Sequence, residues 1–134
     1  MTGTPPPGAS AWTAEELTRI GEATEIQLAS PRPDGTQAPV TTMWIARVAD
    51  GLYVRSAGGP DRPWYRRARA AGRGHLHAAG TDYEVVFAEA DPNIHDAIDA
   101  ALHAKYDRYG PGPVGHITGP ATHPHTLRLL RSTP

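Results

Sequence analysis

Residues 40–67 read Val-Thr-Thr-Met-Trp-Ile-Ala-Arg-Val-Ala-Asp-Gly-Leu-Tyr-Val-Arg-Ser-Ala-Gly-Gly-Pro-Asp-Arg-Pro-Trp-Tyr-Arg-Arg. A run over 39–48 rich in threonine, valine, isoleucine and tryptophan suits a strand, and Asp50-Gly51 is a two-residue hairpin signal leading into a second strand at 52–56. Gly58-Gly59 and Pro60 then end strand pairing. Pro63 suits the first turn of a helix that continues through Trp64, Tyr65, Arg66 and Arg67 to a stop at Gly72. This is the part of the chain most loaded with potential chemistry.

Toward the N-terminus, Thr13 and Glu16 have the spacing of a capping box. Trp12 and Leu17 sit where a hydrophobic staple forms, so a helix is expected over 14–23. Residues 25–29 alternate polar and apolar side chains and are followed by the turn residues Pro31, Pro33, Asp34 and Gly35. Three strands in meander order result. Toward the C-terminus, 75–79 and 83–89 are strand-like around Gly80-Thr81-Asp82. Asp91 and Pro92 open a helix whose apolar stripe, Ile94, Ile98, Ala101, Leu102 and Tyr106, runs to about Gly110. Residues 114–118 and 126–130 add one or two more strands. Hairpin-linked strands with inserted helices predict an α+β fold, a small antiparallel barrel of about six strands with three helices. Residues 1–10, with three consecutive prolines, read as a disordered leader, and 11–134 as a single domain with one hydrophobic core.

At 134 residues, with 39 % hydrophobic and 20 % charged residues, the composition is that of a globular protein. A formal net charge of -1 supplies no field for nucleic acid. The sequence contains no cysteine, so disulfides and thiolate metal sites are excluded. No apolar run approaches membrane-spanning length, so no membrane association is expected and a cytoplasmic location is the simplest reading. Serine-hydrolase, nucleotide-phosphatase and dinucleotide-fold glycine motifs are absent.

The chemistry concentrates at a corner. Arg55 and Ser56 end a strand, Gly58 and Gly59 let backbone amides approach an anion, and the helix starting at Pro63 adds its dipole. Arg62, Arg66 and Arg67 add charge suited to phosphate or carboxylate. The same residues also describe a solvated helix face paired with Glu15, Glu16 or Asp61 beside an ordinary turn. Thr41, Thr42, Trp44 and Trp64 are candidates for a ligand cleft or for core, with Thr42 and Trp44 on one strand face and Thr41 and Met43 on the other. Lys105 and Tyr106 close the long helix, either as a proton donor to a substrate or as helix-end packing. His75-x-His77 and His123-x-His125 point paired rings to one side of a strand, but no third or fourth ligand is placed, so no metal site is expected.

Trp12 to Ile20, Arg32-x-Asp34-Gly35-Thr36, Thr41-Thr42-Met43-Trp44, Leu52-Tyr53-Val54-Arg55-Ser56-Ala57-Gly58-Gly59, Trp64-Tyr65-Arg66-Arg67-Ala68, Ala104-Lys105-Tyr106 and Ile117-Thr118-Gly119-Pro120 together resemble the uncharacterised DUF2255 family. More distantly, the strand order resembles the flavin- and deazaflavin-binding split β-barrels, which include pyridoxamine phosphate oxidases and deazaflavin-dependent nitroreductases. That resemblance implies a homodimer binding FMN or coenzyme F420, with the ring between subunits. The cofactor would be bound around Thr41, Thr42, Trp44, Arg55, Ser56, Gly58, Gly59, Trp64, Arg66 and Arg67, with its phosphate on the basic and hydroxyl groups among them. An oxidoreductase acting on a small organic molecule is the implied function. The alternative is a cofactor-free protein that binds or rearranges a small molecule in the same pocket, with Trp44, Trp64 and Tyr106 as walls and Arg55 as anchor.

Overall fold

In the computed structural model, which describes residues 8–133, the capping box forms as its spacing predicts. Thr13 Oγ1 accepts from the Glu16 amide at 3.1 Å, and the Glu16 carboxylate accepts from the Thr13 amide at 2.9 Å. Helix α1 follows over Ala14–Glu22. Trp12 and Leu17 are buried, and the Trp12 indole N–H donates to the Leu129 carbonyl at 2.9 Å, tying α1 to the far end of the chain.

The strands are β1 (Ala9–Ser10), β2 (Ile26–Ala29), β3 (Thr41–Met43), β4 (Ala46–Val48), β5 (Gly51–Arg55), β6 (Arg73–Ala78), β7 (Thr81–Glu89) and β8 (Thr126–Ser132). They make one 8-stranded sheet in the order β3-β2-β6-β7-β8-β5-β4, with β1 also on β8. Every pairing is antiparallel. β3 and β4 are the two ends of this order, yet only Trp44 and Ile45 separate them in sequence. The sheet therefore curls until its edges lie side by side, which is the split barrel expected, with more strands than the six expected.

The run over 39–48 is accordingly two strands, and the three-strand meander becomes two hairpins at opposite sheet edges. The cause lies far along the chain. The Ile45 amide donates at 3.2 Å to the hydroxyl of Tyr106, and the Ile45 carbonyl accepts from Lys105 Nζ at 2.9 Å. With its peptide groups satisfied there, the chain leaves one edge and joins the other.

Two hairpin turns sit one or two residues earlier than expected. Val48 pairs with Gly51 and Ala78 with Thr81, so the turns are Ala49-Asp50 and Ala79-Gly80. Ala49 has φ 52 and Ala79 φ 51, the left-handed backbone that two-residue hairpins demand. Gly51 belongs to β5 for a different reason: a Cβ there would sit 2.5 Å from the Tyr53 hydroxyl.

Helix α2 spans Pro63–Ala71 and stops at Gly72, which has φ 70. Helix α3 spans His95–Tyr106 and starts later than Asp91-Pro92 suggests, because Asp91 accepts instead from the Asn93 amide at 2.8 Å in a preceding turn. The strand expected at 114–118 is replaced by a short helix α4, Pro111–Gly115, whose first turn the prolines favour. The expected leader falls largely on residues 1–7, outside the described residues, while Ala9 and Ser10 pair with Ser132 and Arg131.

Two apolar clusters form, where the sequence suggests one. Leu52 and Val54 of β5 join Ile26, Leu28, Leu76, Val85 and Leu129 with α1 and α2. Tyr53, on the opposite face, joins Ile98, Leu102 and Tyr106 of α3 with Val114 and Ile117, the period-two alternation of a strand packed on both faces. No helix among the described residues is long and apolar enough to cross a membrane.

Candidate functional site

Where the barrel splits, a half-open cavity of about 540 Å³ lies between β3, the Ala57-Gly58 corner, α2 and α3, within the size range of small-molecule sites. Thr41, Thr42, Met43 and Trp44 form one side, Trp64 and Arg62 another, and Tyr53, Ile98 and Leu102 the apolar floor. Glu25, Arg55, Pro113, His116 and Ile117 complete it. All four residues from Thr41 to Trp44 line the cavity, and Trp44 lies beyond the end of β3 at Met43, where strand alternation no longer governs it. His116 and Glu25 were not legible in the sequence. Each is brought in by a connecting segment whose path depends on tertiary packing.

Trp44 is held rigidly. Its ring stacks on Tyr106 with centroids 4.0 Å apart and planes 4° from parallel, and Tyr109 leans on it at 5.6 Å. Tyr106 is 0 % exposed, and its hydroxyl donates to the Thr24 carbonyl at 2.8 Å while accepting from Ile45. Burial pushes the Tyr106 hydroxyl up to about 12. Burial, followed by the nearby Arg108 cation, pulls Lys105, the chain's only lysine, down to about 8. Neither side chain lines the cavity. The proton-donor role and the pocket-wall role expected for Tyr106 are therefore corrected: the pair closes the barrel edge and backs Trp44.

Arg55 ends β5 and lines the cavity, as expected, but its side chain is 1 % exposed, and all of its donors have internal partners. Nη1 pairs with Asp99 Oδ1 and donates to the Ile117 carbonyl at 3.0 Å. Nε donates to Thr126 Oγ1 at 2.9 Å, and Nη2 reaches the His95 carbonyl and Nδ1 at 3.3 and 3.4 Å. A guanidinium has five N–H groups, so none remains for a ligand. Burial raises the Asp99 carboxyl, but hydrogen bonds from Arg55 and His123 more than offset it, and the net direction is downward.

Ser56 is 1 % exposed and donates its hydroxyl to the Gly59 carbonyl at 2.6 Å, so it shapes the turn and is withdrawn from the cavity. Gly59 takes φ 89 in that turn and does not line the cavity. Gly58 does, with the Arg62 guanidinium lying against it where a Cβ would clash. Arg62 is thus the exposed cation at the cavity rim, and it makes no ion pair among the described residues.

Arg66 and Arg67 lie on the far side of α2. With Arg32 and Arg73 they line a separate groove of about 650 Å³ that has no acidic residue in its walls. None of the four has an ion-pair partner among the described residues, so the pairing with Glu15, Glu16 or Asp61 does not occur. Arg67 Nε is buried without a hydrogen-bond partner. Arg32 is set in place by its own turn, where Asp34 accepts from the Thr36 amide and hydroxyl at 3.0 and 2.6 Å. The first turn of α2 has no acidic residue and no side-chain cap, so its positive end is unneutralised.

The pairs His75-x-His77 and His123-x-His125 do not converge on one another. His75 and His77 on β6 bond to Asp82 and Glu84 across the hairpin, and the Glu84 hydrogen bond is the main cause that raises His75. His123 and His125 sit in a 3-10 turn rather than a strand. Among the described residues no group of three or more metal-ligating side chains comes together.

A family model described as an uncharacterised protein conserved in bacteria, DUF2255, matches residues 16–129. The chain belongs to the DUF2255 family. A search of curated proteins finds no match to this DUF2255 chain. Among solved structures it is similar to an F420 reductase, with a TM-score of 0.55 and 24 % identity over 87 % of this chain and 92 % of that one. It is also similar to a haem-storage protein, HutZ, from Vibrio cholerae, with a TM-score of 0.63 and 14 % identity over 90 % and 91 %. A FAD-binding protein from Mesorhizobium loti gives 0.54 and 18 % over 94 % of each chain. These likenesses establish the split-barrel fold of the DUF2255 protein.

Proposed function

We propose that this DUF2255 protein binds a flavin-type cofactor, FMN or coenzyme F420, in the cavity at the barrel split and acts as an oxidoreductase on a small organic molecule. The observation that carries this reading is a cavity with a rigid, stacked Trp44 on one side, Trp64 on another and an unpaired Arg62 at its rim. A flat aromatic ring system and an anionic tail are the two things such walls accommodate. Similarity to structures described as an F420 reductase and a FAD-binding protein supports the same reading.

The cofactor, when bound, supplies the electron transfer. The chain's own residues position it. Trp44 offers a fixed face because Tyr106 backs it, and Thr41 and Thr42 offer hydroxyls on the same side. The phosphate end has two places to go, Arg62 at the rim or the groove of Arg32, Arg66, Arg67 and Arg73, where the buried Arg67 Nε lacks a partner. The cavity is open along the short edge strand β3, with Val40 60 % exposed and Tyr109 45 % exposed, and a second copy of the chain would cover it as a homodimer.

The test is titration of purified protein with FMN and with F420, read by flavin fluorescence and thermal shift. Saturable binding that Trp44→Ala and Arg62→Ala each weaken supports the proposal. No binding of either cofactor at millimolar concentration overturns it and leaves the cofactor-free small-molecule reading of the same cavity.

A further inference from the structure

On the other side of Arg55 lies a second pocket, of about 350 Å³, that shares no wall residue with the cavity. His95, the first residue of α3, and His123 both line it. Their rings stack with centroids 4.5 Å apart and planes 9° from parallel. The Arg55–Asp99 ion pair behind them determines which nitrogen of each ring faces outward. Arg55 can only donate, so the His95 nitrogen beside it, Nδ1, carries a lone pair, and the proton sits on Nε2. Asp99 Oδ2 accepts from His123 Nε2 at 3.1 Å, which leaves His123 Nδ1 bare.

Two stacked histidines of the pocket wall thus each keep one unengaged nitrogen, an N–H on His95 and a lone pair on His123. Burial first, then the His123 ring and the Arg55 cation, push His95 below its ordinary value, so that ring stays neutral near pH 7. The Asp99 carboxylate lies directly behind the His123 ring, on the Nε2 side. Among the described residues Arg69, in the wall 3.5 Å from the Tyr65 hydroxyl, makes no ion pair, and Glu89 is the one carboxylate lining the pocket.

We propose that this pocket is a proton-transfer site for a small carbonyl compound carrying one carboxylate, a 2-oxo acid being the simplest member. The carboxylate pairs with Arg69, and Glu89 keeps more highly charged anions out. His123 Nδ1 takes the proton from the carbon next to the carbonyl, forming an imidazolium held against Asp99. The C–H electron pair becomes the enolate, whose oxygen accepts a hydrogen bond from His95 Nε2. Return of the proton to that carbon regenerates both histidines, so the step is balanced and needs no oxidant, reductant or metal.

The experiment follows the methyl protons of pyruvate by proton NMR in deuterium oxide at neutral pD, with native protein against the same concentration of unfolded protein. Native protein is expected to exchange them faster. His123→Gln is expected to lose ~10²-fold or more of that excess, a usual general-base contribution, and His95→Ala part of it. His77→Ala, which removes an exposed imidazole on β6, is expected to leave exchange unchanged. Exchange no faster than the unfolded control, or undiminished in a folded His123→Gln, overturns the proposal. If that variant fails to fold, nitrogen-15 spectra of the wild-type imidazoles decide. Pyruvate-dependent shifts at His95 and His123, with His123 Nδ1 unprotonated, support the site, and their absence or the opposite tautomer overturns it.

Discussion

Arg55 and the pair Arg66-Arg67 belong to one arginine-rich stretch and meet opposite fates. Arg55 ends a strand covered on both faces, so its cation is surrounded by protein and satisfied by Asp99, Thr126, Ile117 and His95. Arg66 and Arg67 lie on the outward side of α2 and face a groove with no acidic wall. Residue type signals charge, but the element that carries it decides whether the charge supports the fold or remains free for a ligand.

The largest expected effect lies on the engaged side. Arg55→Met leaves the Asp99 carboxylate without its cation and should cost ~3–5 kcal/mol of unfolding free energy, measured by urea denaturation. Wild-type stability in that variant would erase the contrast. Tyr106→Phe removes the partner of the Ile45 amide and should cost ~1–3 kcal/mol, with loss of protection of that amide in hydrogen exchange.

The same side predicts a pH signature. The folded state binds the Lys105 proton less tightly than the unfolded chain, whose lysine titrates near ~10.4. This contribution to stability therefore rises with pH between about 8 and that value. Tyr106 works in reverse. Held up to about 12, it stays protonated while an unfolded tyrosine ionises near ~10, so its contribution falls above that pH. The melting temperature of wild type relative to Lys105→Met, followed from pH 7 to 11, should show the first trend, and that of wild type relative to Tyr106→Phe the second.

The smallest stability change belongs to the groove. Arg66→Ala should shift unfolding by no more than ~0.5 kcal/mol, as surface changes do. If the groove holds the phosphate, the same variant weakens FMN binding by about tenfold or more. Arg62→Ala acting in its place would assign the phosphate to the rim and sharpen the comparison to a single residue.

How much of this was legible in the sequence depends on the distance over which the cause acts. The Thr13–Glu16 cap, α2 from Pro63 to Gly72 and the buried stripe of Ile98, Leu102 and Tyr106 are local patterns, and all formed. The hairpin turn falls at 49–50, one residue early, and leaves Gly51 paired in β5 against the Tyr53 hydroxyl, a contact that no turn preference encodes. The break at Trp44-Ile45 needed Tyr106, far along the chain. Likewise Trp44, Trp64, Thr41 and Thr42 were legible as cleft candidates from their type and position. The saturation of Arg55 and the pairing of His95 with His123 were not, because each depends on which segments the fold brings together.

The two residues Trp44 and Ile45 join the first and last strands of the sheet order. The sheet is thus a ring with a covalent seam, completed by the chain itself where a fully closed barrel would use a ladder of hydrogen bonds. New termini introduced at that seam, with the old ends linked, would leave every strand pairing intact while allowing the edges to part. Such a permuted chain should retain its sheet signal by circular dichroism yet lose the fixed Trp44 environment, separating what the strands build from what the seam holds together.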